Sequence, residues 1–234
     1  MRAVIGFDTA TEDTAVAATR DGEVLFSCSV KPPQGERPLH ATQLLPELER
    51  AAEAAGGWGL VGRIAVGTGP GSFTGLRIGI ATAKALAQAL GIELAGVCTL
   101  AALARGAASG EGADRLRLAA LDARRGEVFA ALYDSAGEEV WEPFVAGPGE
   151  LGRRIAGLAE PPLAIGSGTL RFRDDLQEDG AEIPADSDPS HRIAAREICA
   201  IGALVGASGP EGVTPIYLRP PDAQRWRERD STDN

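Results

Sequence analysis

The sequence predicts an α/β protein of two related lobes, each a mixed sheet with helices packed on it, the second lobe being reduced. Two observations support this prediction. Three strand patterns are followed by alternating helix and strand patterns, and the same order recurs in shortened form after residue 110. The chain has 234 residues, 44% of them hydrophobic, which is enough for a substantial core. Disordered and fibrous classes are therefore disfavoured.

The charge of the chain limits its partners. The formal net charge is −10, and residues 111–234 carry 14 basic against 23 acidic side chains. RNA binding gains from counterion release only where Lys and Arg face the phosphates, so unaided RNA binding is disfavoured. The three cysteines form no CxxC pair, and no apolar run approaches the roughly 18 residues of a membrane span. We expect a soluble cytoplasmic protein without membrane contact.

The first thirty residues predict a small antiparallel meander. Its strands are Ala3 to Asp8, Thr14 to Thr19 and Glu23 to Val30, with Asp21-Gly22 as the tight turn between the last two. A polar, Pro-rich loop then leads to an amphipathic helix from Ala41 to Ala55. Apolar residues recur along it at helical spacing: Leu44, Leu45, Leu48, Ala51, Ala52 and Ala55.

Alternating strands and helices complete the first lobe. They are a strand at Arg63 to Val66, a Gly-rich loop at Gly67 to Phe73, a helix at Thr74 to Leu90, a strand at Glu93 to Val97, and a helix from Thr99 to about Ala108. The resulting order, β-β-β-α-β-α-β-α, is the half-unit of ribonuclease-H-like and actin-like ATPase folds. We assign residues 1–110 to this lobe.

A second unit is predicted to begin at the small, polar residues 109–114. Its strands are placed at Arg115 to Asp122, Glu127 to Tyr133, Glu138 to Val145 and Leu163 to Ile165, and its helices at Pro148 to Leu158 and Ser190 to Val205. We assign residues 111–218 to this reduced lobe. Residues 219–234 hold four arginines, four acids and few apolar side chains, which predicts a flexible tail.

The segment Asp8-Thr9-Ala10-Thr11 is a weak candidate for nucleotide binding. It lies where the first strand turns into the second, and an Asp with hydroxyls at such a hairpin can hold a metal and phosphate oxygens. The same side chains can instead cap N–H groups of the turn. For so short a motif we favour the second interpretation.

The loop from Gly67 to Gly75 is a second weak candidate, through Gly69, Gly71 and Ser72. A helix N-terminus follows the loop and offers free N–H groups to an anion. No GK[ST] sequence is present, however, and the glycine spacing is GxGxG, so neither standard phosphate motif is complete. The alternative is a packing loop with Thr74 as the helix N-cap, and the residues favour neither interpretation.

The helix after this loop is apolar around most of its circumference. Small residues recur every four positions at Gly75, Gly79 and Ala83, and Leu76 and Ile80 add apolar area beside them. This face can pack on the chain's own sheet, which is the commoner case, or accept a second helix.

His40 and His191 are the two histidines, and they lie far apart in the sequence. A zinc-protease helix needs a second histidine four residues after the first, but Leu44 follows His40 at that spacing. No Ser-His-Asp or Cys-His order stands out either. The sequence thus gives little support for hydrolysis and predicts no metal site.

Two turns of the second unit remain open to interpretation. The turn from Asp122 to Glu127 is either an ion-paired hairpin or a site where Arg124 and Arg125 meet an acidic partner or a phosphate. Gly166-Ser167-Gly168 is the one candidate for a phosphate or adenosine loop in this unit, and it is a weak one.

Several segments together resemble the TsaB family of bacterial tRNA threonylcarbamoyladenosine biosynthesis proteins, which also carries glycoprotease-like names. The resemblance covers residues 1–135 well and the rest loosely, and the run from Gly69 to Gly79 is its most specific motif. The other segments are Ile5 to Thr11, His40 with Leu44-Leu45-Pro46, Leu121 to Phe129, and Pro215 to Arg219.

The resemblance implies an actin-like ATPase fold and a non-catalytic subunit that scaffolds and activates TsaD. In the family, TsaD transfers a threonylcarbamoyl group to the adenosine beside the anticodon of tRNAs that read codons starting with A. TsaC makes the adenylate donor, and TsaE joins the larger complex. The first two helices pair with TsaD, or with a second copy when TsaD is absent. The chain is connected to tRNA only indirectly, through its partners. We place this interface at His40, Leu44, Leu45, Leu48, Gly75, Leu76, Gly79, Ile80 and Ala83.

The resemblance also has implications for metal binding and for nucleotide binding. The catalytic relative holds its metal with a His-x-x-x-His pair, which His40 and Leu44 cannot reproduce. We expect at most weak ATP or ADP binding, mainly through partners. The alternatives are an independent actin-like ATPase or phosphotransferase using Asp8 and the Gly-rich loop, and, with less support, a metallopeptidase.

Overall fold

A computed structural model describes residues 2–33, 35–108 and 113–219 of the chain. Its strands form two sheets, one of five strands and one of four, with helices between the sheets and on their outer faces. The predicted boundary at residues 109–114 and the predicted tail at 219–234 fall mostly outside the described residues. In the described part, no helix is long and apolar enough to cross a membrane.

The first sheet has the strand order β3-β2-β1-β4-β5. Its strands are β1 (Ala3–Asp8), β2 (Thr14–Arg20), β3 (Glu23–Val30), β4 (Val61–Gly67) and β5 (Glu93–Val97). The first three strands pair antiparallel, as the meander pattern predicts, and β4 and β5 continue the sheet in parallel. The sheet is therefore mixed, as expected from the order of elements.

Three helices belong to this part of the chain: α1 (His40–Ala54), α2 (Phe73–Leu90) and α3 (Thr99–Gly106). The helices α1 and α2 cover one face of the first sheet, where Leu44, Leu48 and Ile80 meet Ile5 and Phe7 in a common core. α3 lies on the other face, between the two sheets. The apolar spacing that predicted α1 thus corresponds to its buried side, except at Leu45, which is exposed.

The second sheet has the strand order β8-β7-β6-β9. Its elements are β6 (Arg117–Arg124), β7 (Glu127–Tyr133), β8 (Glu139–Ala146), α4 (Pro148–Ala156), β9 (Leu163–Ile165), α5 (Ser167–Arg171) and α6 (Arg173–Glu178). β7 and β9 match their predicted bounds. The short helices α5 and α6 were not predicted, because elements of five and six residues show too little periodicity.

The predicted helix at Ser190 to Val205 is too long. Pro189–His191 form a 3₁₀ turn, and α7 (Ala195–Leu204) begins only after extended backbone at Arg192 and Ala194. Asp188 caps the 3₁₀ turn by accepting a hydrogen bond from the Ser190 N–H. This cap stabilises the start of the turn, and the extended backbone at Arg192 and Ala194 separates the turn from α7.

α7 packs on β1, β2 and β4 of the first sheet, so the predicted lobe of residues 111–218 loses α7 to the first sheet. We therefore define the first lobe and the second lobe as the five-stranded and the four-stranded sheet, each with the helices packed on it. Two glycines permit the contact of α7 with the first sheet. A Cβ on Gly6 would lie 2.7 Å from Cys199 Sγ and 2.8 Å from the Cys199 backbone nitrogen, and a Cβ on Gly202 would overlap Ala65. Because these contacts are long-range, a pattern within a short window of sequence could not reveal them.

We predict that Gly6→Ala lowers the free energy of unfolding by about 1–3 kcal/mol, since the added methyl group would overpack the contact between β1 and α7. Urea unfolding measures this change. Gly59→Ala is the matched control, because a Cβ on Gly59 would have no neighbour within 4 Å. Equal destabilisation by both variants would contradict the packing argument.

Candidate functional site

Asp8 is buried at the carboxyl end of β1, with 1% of its surface exposed. One carboxylate oxygen accepts a hydrogen bond from the Ala10 N–H and the other from Thr99 Oγ1, both at 2.7 Å. Gly67 packs against the carboxylate so closely that a Cβ would overlap it. Burial raises the pKa of Asp8 above its ordinary value. The side chain joins three segments of the fold.

Thr9 and Thr99 extend this connection into the Gly-rich loop. Thr9 is fully buried and donates its hydroxyl hydrogen to the Gly75 carbonyl at 2.8 Å. Thr99 accepts from the Gly69 N–H through Oγ1 at 3.1 Å, and its own N–H donates to the Gly69 carbonyl at 2.8 Å. The role of Thr99 was not predicted from the sequence, which indicated only the start of a helix.

The Gly-rich loop uses its polar groups for packing. The Ser72 N–H donates to the Ala10 carbonyl at 2.7 Å, and Gly71 lies so close to Ala10 that a Cβ would overlap its carbonyl oxygen. The N-cap of α2 is Ser72, whose Oγ accepts from the Gly75 N–H at 3.3 Å, so the assignment of Thr74 as N-cap was wrong. These contacts pack the loop against the β1–β2 turn, and anion binding at the α2 N-terminus stays a prediction.

His40 is buried at the start of α1 and is engaged through both ring nitrogens. Nδ1 lies 2.8 Å from Thr14 Oγ1, and Nε2 lies 3.1 Å from the Thr11 carbonyl. The carbonyl can only accept, which assigns the hydrogen to Nε2 and makes Nδ1 the acceptor from Thr14. Burial lowers the pKa of His40. Leu44, one turn later, is 1% exposed, so His40 and the position four residues after it both lie in the core of the chain.

Most residues placed at the partner interface from the sequence lie in the core of the chain. Leu45, 59% exposed, is the exception; the buried ones are His40, Leu44, Leu48, Gly75, Leu76, Gly79, Ile80 and Ala83. A Cβ on Gly75 would overlap the Thr9 carbonyl, and one on Gly79 would overlap Thr9 Oγ1. The small-residue face therefore packs on the chain's own β1–β2 turn, and that part of the assignment was wrong.

The surface that the two helices present to solvent is a different one. We call it the outer helix surface and define it by Leu45 and Pro46 of α1 and by Thr74, Arg77, Ala81 and Ala85 of α2, all of them exposed. The two helices contact each other on the same face of the first sheet. Because α2 has small or apolar residues on nearly every side, its sequence alone did not decide which side faces outward.

A cavity of about 930 Å³ lies between the two lobes. It is lined by the β1–β2 turn, the α2 N-terminus including Gly71 and Ser72, the β6–β7 hairpin and residues 216–219. Among the candidate residues of the Gly-rich loop and the β1–β2 turn, Asp8, Thr9 and Gly69 are absent from this lining. The cavity thus brings together only part of the predicted nucleotide set.

Ion pairs join the two lobes around this cavity. Arg124 pairs with Glu12 at 2.7 Å and Arg192 with Asp13 at 2.8 Å. Within the β6–β7 turn, an Arg124 side-chain nitrogen lies 3.9 Å from an Asp122 carboxylate oxygen, and the Arg124 backbone N–H donates to Asp122 at 2.8 Å, as in the ion-paired hairpin of the two interpretations. Neither pair between the lobes was predicted, because each joins residues more than a hundred positions apart.

Residues 213–219 cross from one lobe to the other. Val213 is buried in the core of the first lobe, and the Ile216 N–H donates to the Thr68 carbonyl at 2.8 Å. Arg219 pairs with Glu127 at 2.5 Å and donates to the Ala123 carbonyl of the second lobe. Arg219, which the sequence assigned to a flexible tail, is therefore an ordered contact, and the remaining tail residues lie outside the described part.

Gly166-Ser167-Gly168 forms the start of the five-residue helix α5. Ser167 Oγ accepts from the Asp122 N–H at 3.1 Å, and the Gly166 N–H donates to His191 Nδ1 at 3.1 Å. A Cβ on Gly168 would lie 2.9 Å from the Leu121 carbonyl carbon. Gly166 and Gly168 thus pack so closely against β6 that neither position has room for a side chain. In the described residues, no group of three His, Cys, Asp or Glu side chains is placed to hold a metal ion.

Comparison with known proteins decides the family. A family model described as "TsaD: tRNA N6-adenosine threonylcarbamoyltransferase" matches residues 30–151. The chain is 32% identical over 226 residues to the tRNA threonylcarbamoyladenosine biosynthesis protein TsaB of Escherichia coli, covering 92% of this chain and 94% of that protein. The chain belongs to the TsaB family. The Bacillus subtilis TsaB protein is 28% identical and covers 96% of this chain and 98% of its own length.

Solved structures agree with this membership. The TsaB-family chain is similar to a Pseudomonas aeruginosa protein described as similar to peptidase YEAZ, with a TM-score of 0.77, 29% identity and coverage of 94% of this chain and 100% of that chain. An ethanolamine utilization protein, EutJ, of Carboxydothermus hydrogenoformans aligns with a TM-score of 0.50 at 12% identity, over 86% and 90% of the two chains, and shares the fold alone. The predicted actin-like ATPase (ribonuclease-H-like) fold is confirmed.

For this TsaB-family chain, the buried environment of His40 predicts a pH dependence of stability. The folded pKa is below the unfolded value of 6.5, so unfolding takes up a proton between the two values. The free energy of unfolding should fall as pH drops through this range, by at most about 1.4 kcal/mol per pH unit from this residue. Above pH 6.5 the contribution is fully present.

The measurement is urea unfolding of the native chain and of His40→Gln between pH 7.5 and 5.0. The carboxylates are common to both proteins, so the difference between their pH slopes isolates His40. We expect the native chain to show the steeper loss. Parallel slopes would contradict the assigned environment of this histidine.

Proposed function

We propose that the chain is the non-catalytic subunit of the threonylcarbamoyl-transferase complex that forms N6-threonylcarbamoyladenosine next to the anticodon of tRNAs reading codons that start with A. In this proposal it acts in the cytoplasm, binds and activates a TsaD protein, and pairs with a second copy of itself when TsaD is absent. TsaE joins the larger complex. The names of the relatives and the matching TsaD family model support a role in this pathway.

The observation that carries the non-catalytic assignment is the environment of His40 and Leu44. The family resemblance places a metal-binding His-x-x-x-His pair on this helix in the catalytic relative. Here the first position is held by Thr14 and Thr11, and the second is a leucine in the core. Restoring a metal site would require both a new ligand and the loss of one of the two hydrogen bonds of His40. The metallopeptidase alternative has no structural support in the described residues.

The alternative of an independent ATPase depends on Asp8, and the surroundings of Asp8 do not favour this alternative. Both oxygens of its carboxylate accept internal hydrogen bonds, and Gly67 leaves no gap beside them. A metal or phosphate could reach the carboxylate only if this packing opened. We therefore propose that any ATP or ADP is held mainly by partner subunits.

We assign the TsaD contact to the outer helix surface rather than to the buried residues of α1 and α2. Leu45 is its largest exposed apolar side chain, and the alanines of α2 leave room for a second helix to approach closely. The net charge of −10 favours a role in which the partner, and not this chain, binds the tRNA.

We predict that Leu45→Arg weakens binding to TsaD at least about tenfold, which corresponds to 1.4 kcal/mol, while the lone chain stays folded. Calorimetry with the TsaD protein of the same genome measures the affinity. Val140→Arg is the matched control, since Val140 is an exposed apolar residue of β8 in the second lobe. Native affinity of Leu45→Arg would contradict the surface assignment. Gly79→Arg is unsuitable for this test because it would overlap Thr9 and disturb the fold.

A further inference from the structure

Arg77 lies on the outer helix surface and is held in place by two aromatic rings. Its guanidinium carbon lies 3.9 Å from the centre of the Phe73 ring, one helical turn earlier. The Tyr217 ring centre is 5.3 Å from that of Phe73, and Arg77 Nε lies 3.4 Å from the Tyr217 hydroxyl oxygen. One face of the guanidinium and its Nε–H are thus occupied, which leaves its two terminal amino groups at the outer edge.

These amino groups have no acidic partner in the part of the chain that the structure describes, residues 2–33, 35–108 and 113–219. No Asp or Glu oxygen there lies within 4.0 Å of the Arg77 guanidinium. The other arginines that stack on aromatic rings in the described residues differ in this respect, since each of them pairs with a carboxylate. Arg154 also stacks on an aromatic ring, that of Phe144 at 4.0 Å, but it pairs with Glu150 at 3.0 Å. In a chain of net charge −10, an oriented arginine without a carboxylate is a distinctive feature.

The chemistry of this arrangement fits a carboxylate. A guanidinium presents parallel N–H donors that match the two oxygens of a carboxylate, and such charge-assisted pairs are the stronger hydrogen bonds. Stacking on Phe73 fixes the side chain before a partner arrives, so less rotamer freedom is lost on binding. A lysine at this position would keep the charge but lose both the stacking and the paired donors.

The surroundings favour a protein carboxylate over a nucleic-acid phosphate. Backbone recognition of RNA requires several cations arranged along the strand. On the outer helix surface Arg77 is accompanied by Thr74, Ala81 and Ala85 on α2 and by Leu45 on α1, none of them charged, and the half-buried Lys84 lies two turns further along the same side of α2. Two cations beside small and apolar residues are too few for an RNA strand, and they match a helix that carries an acidic side chain next to an apolar one.

We propose that Arg77 is a specificity-determining contact of the TsaD interface, pairing with an Asp or Glu on the partner helix that packs against Leu45. This inference rests on the proposed function. Tyr217 acts as a positioning residue, because its hydroxyl holds the Nε edge of the guanidinium. Residues 213–219, which join the lobes, are thereby connected to the partner contact.

The test measures binding of the full chain to the TsaD protein of the same genome by calorimetry, at low and at moderate salt. Arg77→Gln should weaken binding at least tenfold and reduce its salt dependence. Arg77→Lys should recover only part of this loss, and Tyr217→Phe should weaken binding a few fold. Arg154→Gln is the matched control, a stacked arginine on α4 of the second lobe, and should bind like the native chain.

Charge reversal identifies the partner residue. Arg77→Glu should abolish measurable binding, and one Asp→Arg or Glu→Arg change on the TsaD helix should restore it. Thermal unfolding of each variant confirms that the chain is folded, which we expect because Arg77 is exposed.

The outcomes separate this inference from the proposed function. If Arg77→Gln binds within twofold of the native chain while Leu45→Arg does not bind, the pairing of Arg77 is wrong and the TsaD surface stands. If neither change affects TsaD binding, both assignments are wrong. Binding lost in Arg77→Gln and in Arg154→Gln alike would reflect net charge alone and would overturn the specific contact.

Discussion

The hydrogen bonds between Asp8, Thr99 and Gly69 hold together the segments on which the rest of the first lobe depends. Asp8 ends β1, Thr99 begins α3, and Gly69 belongs to the loop between β4 and α2. The carboxylate is taken out of water, at a cost that two hydrogen bonds at 2.7 Å offset. Because Gly67 has no side chain, the carboxylate fits between the strands without a gap.

The same close packing determines what the chain can do. In the first lobe, the positions from which an actin-like fold could hold nucleotide or metal are joined to one another: Asp8 to Thr99, Thr9 to Gly75, and His40 to Thr14. Their polar groups stabilise the fold. The outer sides of α1 and α2 and the cavity between the lobes are exposed, and in the proposed function the chain works through contact with another protein.

Much of the fold could be predicted from local patterns. The bounds of β1, β3, β5, β7 and β9 match the predicted strands, because strands bounded by turn residues leave a clear pattern within ten residues. The position of α7 could not be predicted, since its contact with the first sheet depends on Gly6 and Gly202, nearly two hundred residues apart. Likewise, Arg192 and Asp13 are neighbours only in the folded chain.

The candidate site was harder to predict than the fold. The sequence identified Asp8, His40 and the Gly-rich loop, yet whether each faces a ligand or the core depends on atoms supplied by distant segments such as Thr99. The interface prediction failed on α2 for a related reason. Gly75 and Gly79 are small enough to face either a partner or Thr9, and the structure shows that they face Thr9. Leu45 is exposed, and its contact with a partner stays a prediction.

The central claim is that the chain contributes no catalysis of its own and is required by a catalytic partner. The most direct test combines the purified chain with TsaD, TsaC, TsaE, threonine, bicarbonate, ATP and unmodified tRNA, and measures N6-threonylcarbamoyladenosine with each protein omitted in turn. We predict that modification needs both TsaD and this chain. Full modification without the chain, or modification by the chain in the absence of TsaD, would contradict the claim.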